Sequence, residues 1–319
     1  MNTEQLNPIL VGVSACLVGQ PVRYNGGHSQ SKLCLHTLND YFQFKPFCPE
    51  VAAGFGTPRP TMRLVGDPKN PELQLSDGSE NLAPKLIAGF QSQLPTMAEL
   101  DGYVLMKNSP SCGLGRIKVY QGNGHPNEQK SAGLFTKAVQ AQWPLLPLEE
   151  EGRLNDAQLR ENFILRVYTH SDFRHQVRSD PSYHNLLQFH SRYKYLVMAH
   201  SYSAYRDIGR MLARGSELPL QDMIERYAQM LFDALAKPAR RKGHANTLLH
   251  ILGYLKKSVP GPLRQDIADV VNNYRRGQVP LVAPITLLRH HIEQYGCDYI
   301  RSQRYLQPYP DDLALRNQV

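Results

Sequence analysis

The sequence predicts an α/β domain with a Rossmann-like layered parallel sheet, followed by an all-α helical bundle. Three observations lead there. Short apolar runs alternate with helical stretches through the first part of the chain, as in a layered sheet. Beyond residue 155 no strand pattern stands out, and apolar residues recur at helical spacing. Between the two, Pro144, Pro147 and the acidic Glu149, Glu150 and Glu151 read as a linker, which places the domains at 1–147 and 148–319.

The runs ILVGVS (9–14), FQFKPF (42–47) and GYVLM (102–106) are β-branched or aromatic and end near Gly, Pro or Ser. They read as buried strands leaving a sheet, and residues 117–120 as a further short strand. Helices are expected over 32–40, 83–94 and 132–142. The segment GFGTPRP (54–60) is too rich in Gly and Pro for regular structure and reads as a loop over the site. In the second part, Asn155 with Gln158 three residues on reads as a capping-box variant that opens a long helix. Leu159, Phe163, Ile164, Val167 and Tyr168 fall at helical spacing there, as do Leu186, Phe189, Tyr193, Leu196 and Val197 further on. Further helices are expected over 220–236, 245–257, 261–277 and 284–295, most of them separated by Pro or Gly.

Length and composition narrow the function. A chain of 319 residues with 41% hydrophobic content can bury the cores of two domains. No apolar stretch approaches the roughly 18–20 residues of a membrane span. Met-Asn-Thr-Glu precedes the first apolar run where a signal peptide would be basic, so a cytoplasmic location with reduced thiols is expected. Five cysteines also leave one over in any disulfide scheme. Charge is uneven: residues 1–150 hold twelve basic and twelve acidic side chains, whereas residues 151–319 hold 24 and 16. The whole net charge of +8 therefore sits in the second part, which suggests chemistry in one half and a polyanion on the other.

The chemistry-bearing residues follow the strands. Cys16, Cys48 and Cys112 each come just after an apolar run, and ligands of open parallel sheets bind where strands end. Three thiols at three strand ends can converge on one inorganic centre with an open position. Their separations of 32 and 64 residues match no compact zinc or ferredoxin pattern, so the shared setting carries the argument. Cys34, inside an expected helix, and Cys297, near the C-terminus, read as packing residues. Glu50 stands two residues beyond Cys48; in an extended segment both side chains point the same way, which puts a proton-transfer group beside the thiol. Ser109 and Ser111 flank Pro110 just before Cys112, and either hydroxyl can hold a substrate. In the second part, Arg192 and Lys194 alternate with Tyr193 and Tyr195, and Arg240, Arg241 and Lys242 precede a helix start at His244. These are candidate contacts to RNA phosphates and bases.

The strings VGVSACLVGQPVRYNGG, FCPEVAAGFGTPRP and KNSPSCG resemble the TudS thiouracil desulfurase family, domain-of-unknown-function family 523. HSRYKYLVMAHS, RKGHANTLLHILGYLKK and QRYLQPYP resemble domain-of-unknown-function family 1722, and the two together cover nearly the whole chain. The combination is similar to bacterial desulfidases that act on 4-thiouridine in tRNA. The resemblance implies a 4Fe-4S cluster held by Cys16, Cys48 and Cys112, with sulfur taken from the base at the open iron and released as sulfide without net redox change. It also implies catalytic roles for Glu50 and Ser109, and tRNA containing 4-thiouridine as the partner. Two other readings stay open: an enzyme acting on free thiouracil or thionucleosides, and a non-enzymatic iron–sulfur sensor that binds RNA.

Overall fold

The computed structural model describes residues 9–215 and 217–319. The chain divides into two compact units, residues 1–155 and 156–319. The first runs β1 (Ile9–Ser14), β2 (Phe42–Phe47), α1 (Pro49–Ala52), β3 (Met62–Asp67), β4 (Asn70–Leu75), α2 (Ala83–Gln91), β5 (Gly102–Leu105), β6 (Ile117–Tyr120), β7 (Pro126–Ser131), α3 (Leu134–Gln142) and β8 (Leu148–Glu150).

Four of these strands form an all-parallel sheet in the order β2-β1-β5-β8. Its central strands carry the apolar runs of the sequence: Val11, Val13, Val104 and Leu105 are wholly buried. Such strands are covered on both faces, which is why they read as unbroken apolar runs. Beside β5, Tyr103 packs against Phe47 and Phe135, and Phe135 against Phe90 of α2, with centroids 5.8, 6.1 and 5.3 Å apart. Gly89 lets α2 lie directly on the end of α1, since a Cβ there would come within 2.2 Å of the Ala53 backbone.

The remaining strands form a mixed sheet, β4-β3-β6-β7, of which the sequence pattern announces only β6. Its hairpin from β3 to β4 turns at Asp67, whose Oδ1 accepts from Lys69 N at 2.9 Å. Along β4 burial alternates, Pro71 and Leu73 inward, and the outward positions are polar. The expected linker is also different. Leu148, Glu149 and Glu150 form β8, the fourth parallel strand, and the first unit extends through Asn155. Its two carboxylates are buried because they have partners: Glu150 Oε1 accepts from Leu114 N at 2.9 Å, and Glu149 Oε1 from Arg153 Nε at 2.7 Å.

The second unit is helical: α4 (Ala157–Phe173), α5 (Tyr183–His200), α6 (Tyr202–Ala213), α7 (Leu220–Leu235), α8 (Arg241–Leu252), α9 (Gly261–Arg276), α10 (Val282–Tyr295) and α11 (Asp298–Arg301). The cap of α4 is Asp156, one residue beyond the expected Asn155. Its carboxylate accepts from both Gln158 N and Leu159 N at 3.0 Å, a geometry open only to the residue immediately before the helix. Phe173, Phe189, Tyr193 and Tyr227 form an aromatic centre for this unit. No helix among the described residues is long and apolar enough to cross a membrane.

Candidate active site

The carboxyl edge of the parallel sheet is where the three cysteines meet. Cys16 lies in a 3-10 turn, Ala15–Val18, directly after β1. Cys48 is the residue that caps α1, directly after β2. Cys112 follows β5 through a turn in which Asn108 adopts a left-handed backbone (φ 57°), a conformation asparagine tolerates better than most residues. β1 lies between β2 and β5, so the segments leaving these three strands meet at this carboxyl edge, the position where open α/β sheets bind ligands. All three cysteines line one cavity of about 500 Å³, together with Ser14, Glu50, Arg59, Lys107, Asn108 and Ser109. That volume lies within the usual range for small-molecule sites.

Glu50 reaches this cavity by a different route from the expected one. Pro49 at the first helical position turns the chain into α1, so Glu50 comes from a helical first turn rather than an extended segment. The carboxylate is buried and held on both oxygens. Ser111 Oγ donates to Oε1 at 2.7 Å, and the Arg59 guanidinium pairs with Oε2. Arg59 is itself fixed: Nη2 donates to Val22 O at 2.9 Å, Nη1 to Gly56 O at 3.1 Å, and its backbone N–H to Tyr24 O at 2.8 Å. The 54–60 segment is thus a loop at the cavity, as its composition predicts, and its contribution is a guanidinium.

Ser109 has another part. Its Oγ accepts from Ser111 N at 3.2 Å and Cys112 N at 3.1 Å, which shapes the cysteine turn and occupies both lone pairs. The hydroxyl proton remains to be donated. The same turn is held from behind by the start of α3: Phe135 N donates to Ser111 O at 3.0 Å and Thr136 Oγ1 to Cys112 O at 2.7 Å. Gly133 permits this approach, since a Cβ there would fall 2.3 Å from Ser111 O. Ser14 Oγ accepts from Met106 N at 2.9 Å and ties the end of β1 to the chain leaving β5.

The three thiols are free and resist ionisation. Burial, then the neighbouring Cys48, pushes Cys16 up to about 11. Burial raises Cys48, with Glu50 adding to the shift. Burial, then Glu50, Cys48 and Cys16, raises Cys112 well above the ordinary thiol range. Three thiols buried around one cavity would all be held as thiolates only by a strongly cationic centre. Among the described residues no group of three His, Cys, Asp or Glu side chains is arranged to hold a metal ion. A single ion needs every ligand sulfur about 2.3 Å from one point. Three cysteines lining one cavity are a donor set of the kind that holds a centre of several atoms at its corners. Cys34 is buried away from this lining, as expected of a packing residue, whereas Cys297 is exposed at the start of α11 rather than packed.

The sequence did not point to Arg59, Ser14 or Tyr103, and Ser111, expected as one of two hydroxyls able to hold a substrate, instead donates to Glu50. Arg59 gives no signal, because an arginine in a Gly/Pro loop looks solvated until its partner is seen. Tyr103 had one: a hydroxyl inside an otherwise aliphatic buried strand.

The basic candidates of the second unit separate. Arg192 Nη2 is engaged with Gln176 Oε1, and Lys194 Nζ lies over the rings of Tyr195 and Tyr299 at 5.3 and 4.9 Å. Arg241 donates to Tyr274 O at 2.9 Å at the end of α9 and covers the Tyr274 ring. Arg240 and Lys242 are exposed and line a cavity of about 960 Å³ with Lys237, His200 and His250, and with Asp207 and Asp233.

Residues 11–151 match the 2-thiouracil desulfurase family, and residues 194–310 match a protein family of unknown function, DUF1722. The chain is 35% identical over 133 residues to the uncharacterized protein YbgA of Escherichia coli (strain K12), covering 41% of this chain and 79% of that protein. It is 30% identical over 154 residues to the uncharacterized protein YbbK of Bacillus subtilis (strain 168), covering 46% of this chain and 99% of that protein. Among solved structures it is similar to the 4Fe-4S-dependent thiouracil desulfidase TudS, at 28% identity and a TM-score of 0.38, over 46% of this chain and 93% of that one.

Proposed function

Since the chain belongs to the 2-thiouracil desulfurase family through residues 11–151 and to the DUF1722 family through residues 194–310, we propose that it is an iron–sulfur-dependent desulfidase converting 4-thiouridine in tRNA to uridine. The observation that carries this reading is the arrival of Cys16, Cys48 and Cys112 from three strand ends at one cavity that Glu50 also lines. The three thiolates would hold a 4Fe-4S cluster. When bound, that cluster supplies a soft Lewis acid for a thiocarbonyl sulfur.

The chain's own residues supply the rest. Replacing the sulfur of a thiocarbonyl by oxygen requires water to add at carbon and its protons to move. Glu50, fixed by Ser111 and Arg59, takes a proton from that water. Ser109, whose oxygen already accepts two N–H groups, acts as a donor toward the base or the water. Lys107 and Asn108 also line the cavity and limit the space beside the base.

For the polyanion, the net charge of the second part supports tRNA. Arg240 and Lys242 are its best-placed contacts, free of the intramolecular partners that engage Arg192, Lys194 and Arg241. Anchoring the tRNA body there would offset the few kcal/mol needed to unstack the modified base.

The test is anaerobic reconstitution with iron and sulfide, followed by assay on 4-thiouridine-containing tRNA and on free 4-thiouracil side by side. Faster turnover of the tRNA is expected, with binding that weakens as salt rises. Arg240→Ala with Lys242→Ala should lower the log–log salt slope by about two without affecting free 4-thiouracil. Equal turnover of both substrates with no salt dependence would select the free-base enzyme instead, and binding without turnover of either would select the sensor.

A further inference from the structure

Tyr103 lies at the centre of β5 with no exposed surface, and its hydroxyl has no hydrogen-bond partner. The mechanism above does not use it. The ring has little freedom: it packs against Phe47 and Phe135 and lies over Gly12, where a Cβ would come within 2.3 Å of it. Phe47, against which the ring packs, itself lines the cavity beside Cys48, and Tyr103 shares one buried cluster with Phe47 and Cys112. Ser14 Oγ is near enough to act on the hydroxyl but makes no hydrogen bond with it, and already accepts from Met106 N at 2.9 Å. A rigid donor is therefore left without an acceptor in the floor beneath the three cysteines. Buried donors are rarely left unmade in proteins, because the desolvation is not recovered.

Resting on the cluster reading of this site, we infer that the Tyr103 hydroxyl donates a hydrogen bond to sulfur at the Cys112 corner of the bound centre, either the thiolate or an adjacent inorganic sulfide. Tyr103 is then a positioning residue that supports the centre from below. Hydrogen bonds to cluster sulfurs offset their negative charge, which raises the reduction potential and slows loss of the centre.

Tyr103→Phe removes the proton and keeps the ring. Wild type and variant, each the full chain, are reconstituted anaerobically. They are compared by midpoint potential in an EPR-monitored titration, by the rate of cluster loss to an iron chelator, and by thermal melting of the cluster-free chains. The variant should show a more negative potential and lose the cluster about three- to tenfold faster. Its cluster-free form should melt at or above the wild-type temperature, since an unsatisfied group has gone. A residue that merely fills space gives the reverse pattern, a lower cluster-free melt with potential and loss rate unchanged, and that result overturns the inference. A wild type that takes up no cluster overturns the site reading itself, and the role of Tyr103 with it. A wild type that does, beside a variant identical in potential and loss rate, overturns Tyr103 alone.

Discussion

Two buried carboxylates, one in each unit, have the same kind of partners in different surroundings. Glu50 accepts from a serine hydroxyl at 2.7 Å and pairs with Arg59. Glu161 accepts from Tyr309 Oη at 2.8 Å and pairs with Arg316 at 3.4 Å. Glu50 shares its cavity with three free thiols and a serine that still has a proton to give. Glu161 joins α4 to the C-terminal segment, where the Arg316 guanidinium lies over the rings of Tyr305 and Tyr309 and donates to Tyr305 O at 2.7 Å. One arrangement of carboxylate, guanidinium and hydroxyl thus serves two ends. Facing a cavity that three free thiols also line, it holds the carboxylate proposed to accept a proton; enclosed among helices, it fastens a chain terminus.

The comparison is broken most easily at Glu50. Glu50→Gln keeps the size and an acceptor for Ser111 but not the base. Turnover should fall by about 10²–10⁴-fold while the iron and sulfide content of the reconstituted protein stays at the wild-type level. Full turnover in that variant would remove Glu50 from the reaction. The matched change, Glu161→Gln, leaves Arg316 buried without a counter-charge. It should destabilise the helical unit by about 3–5 kcal/mol in denaturant titration, with turnover of free 4-thiouracil unchanged per folded molecule. If Glu161→Gln slowed chemistry and Glu50→Gln only lowered stability, the roles assigned to the two groups would be exchanged.

The same contrast explains what the sequence discloses. Strands β1, β2 and β5 are legible because burial on both faces writes an apolar run, and the site cysteines are legible because they punctuate those runs. The mixed sheet, β6 apart, is not. β3, β4 and β7 expose polar residues on one side, and β4 carries a proline. β8 hides for the opposite reason: its glutamates are buried, a state that only their partners Leu114 and Arg153 make possible and that composition reads as a linker. In the helical unit, apolar periodicity reveals the long helices, whereas the cap of α4 shifts by one residue because Asn155 and Asp156 are both capping types. Pairings such as Glu50 with Arg59, or Glu161 with Arg316 155 residues away, leave no local trace, since nothing in either neighbourhood requires the other.

The smallest expected effect concerns acid. In the helical unit, burial, helped by Lys194, lowers His190 from its ordinary 6.5 to about 4, and its Nδ1 lies 3.3 Å from Tyr227 Oη. Burial also lowers His244, whose Nδ1 lies 3.0 Å from Tyr305 Oη, well below its ordinary range, and it lowers His200. Between pH 6.5 and 4 the unfolded chain therefore binds a proton at His190 that the folded chain refuses. The stability gained by keeping His190 neutral is fully present above about pH 6.5 and is lost as pH falls toward 4, at up to about 1.4 kcal/mol per pH unit. His190→Gln should flatten the acid limb of a stability–pH curve by at most one proton's slope, and leave the pH profile of turnover on free 4-thiouracil in place. An unchanged acid limb would mean that His190 is protonated in the folded chain, and a displaced turnover profile would mean that the helical unit's buried groups are not confined to stability.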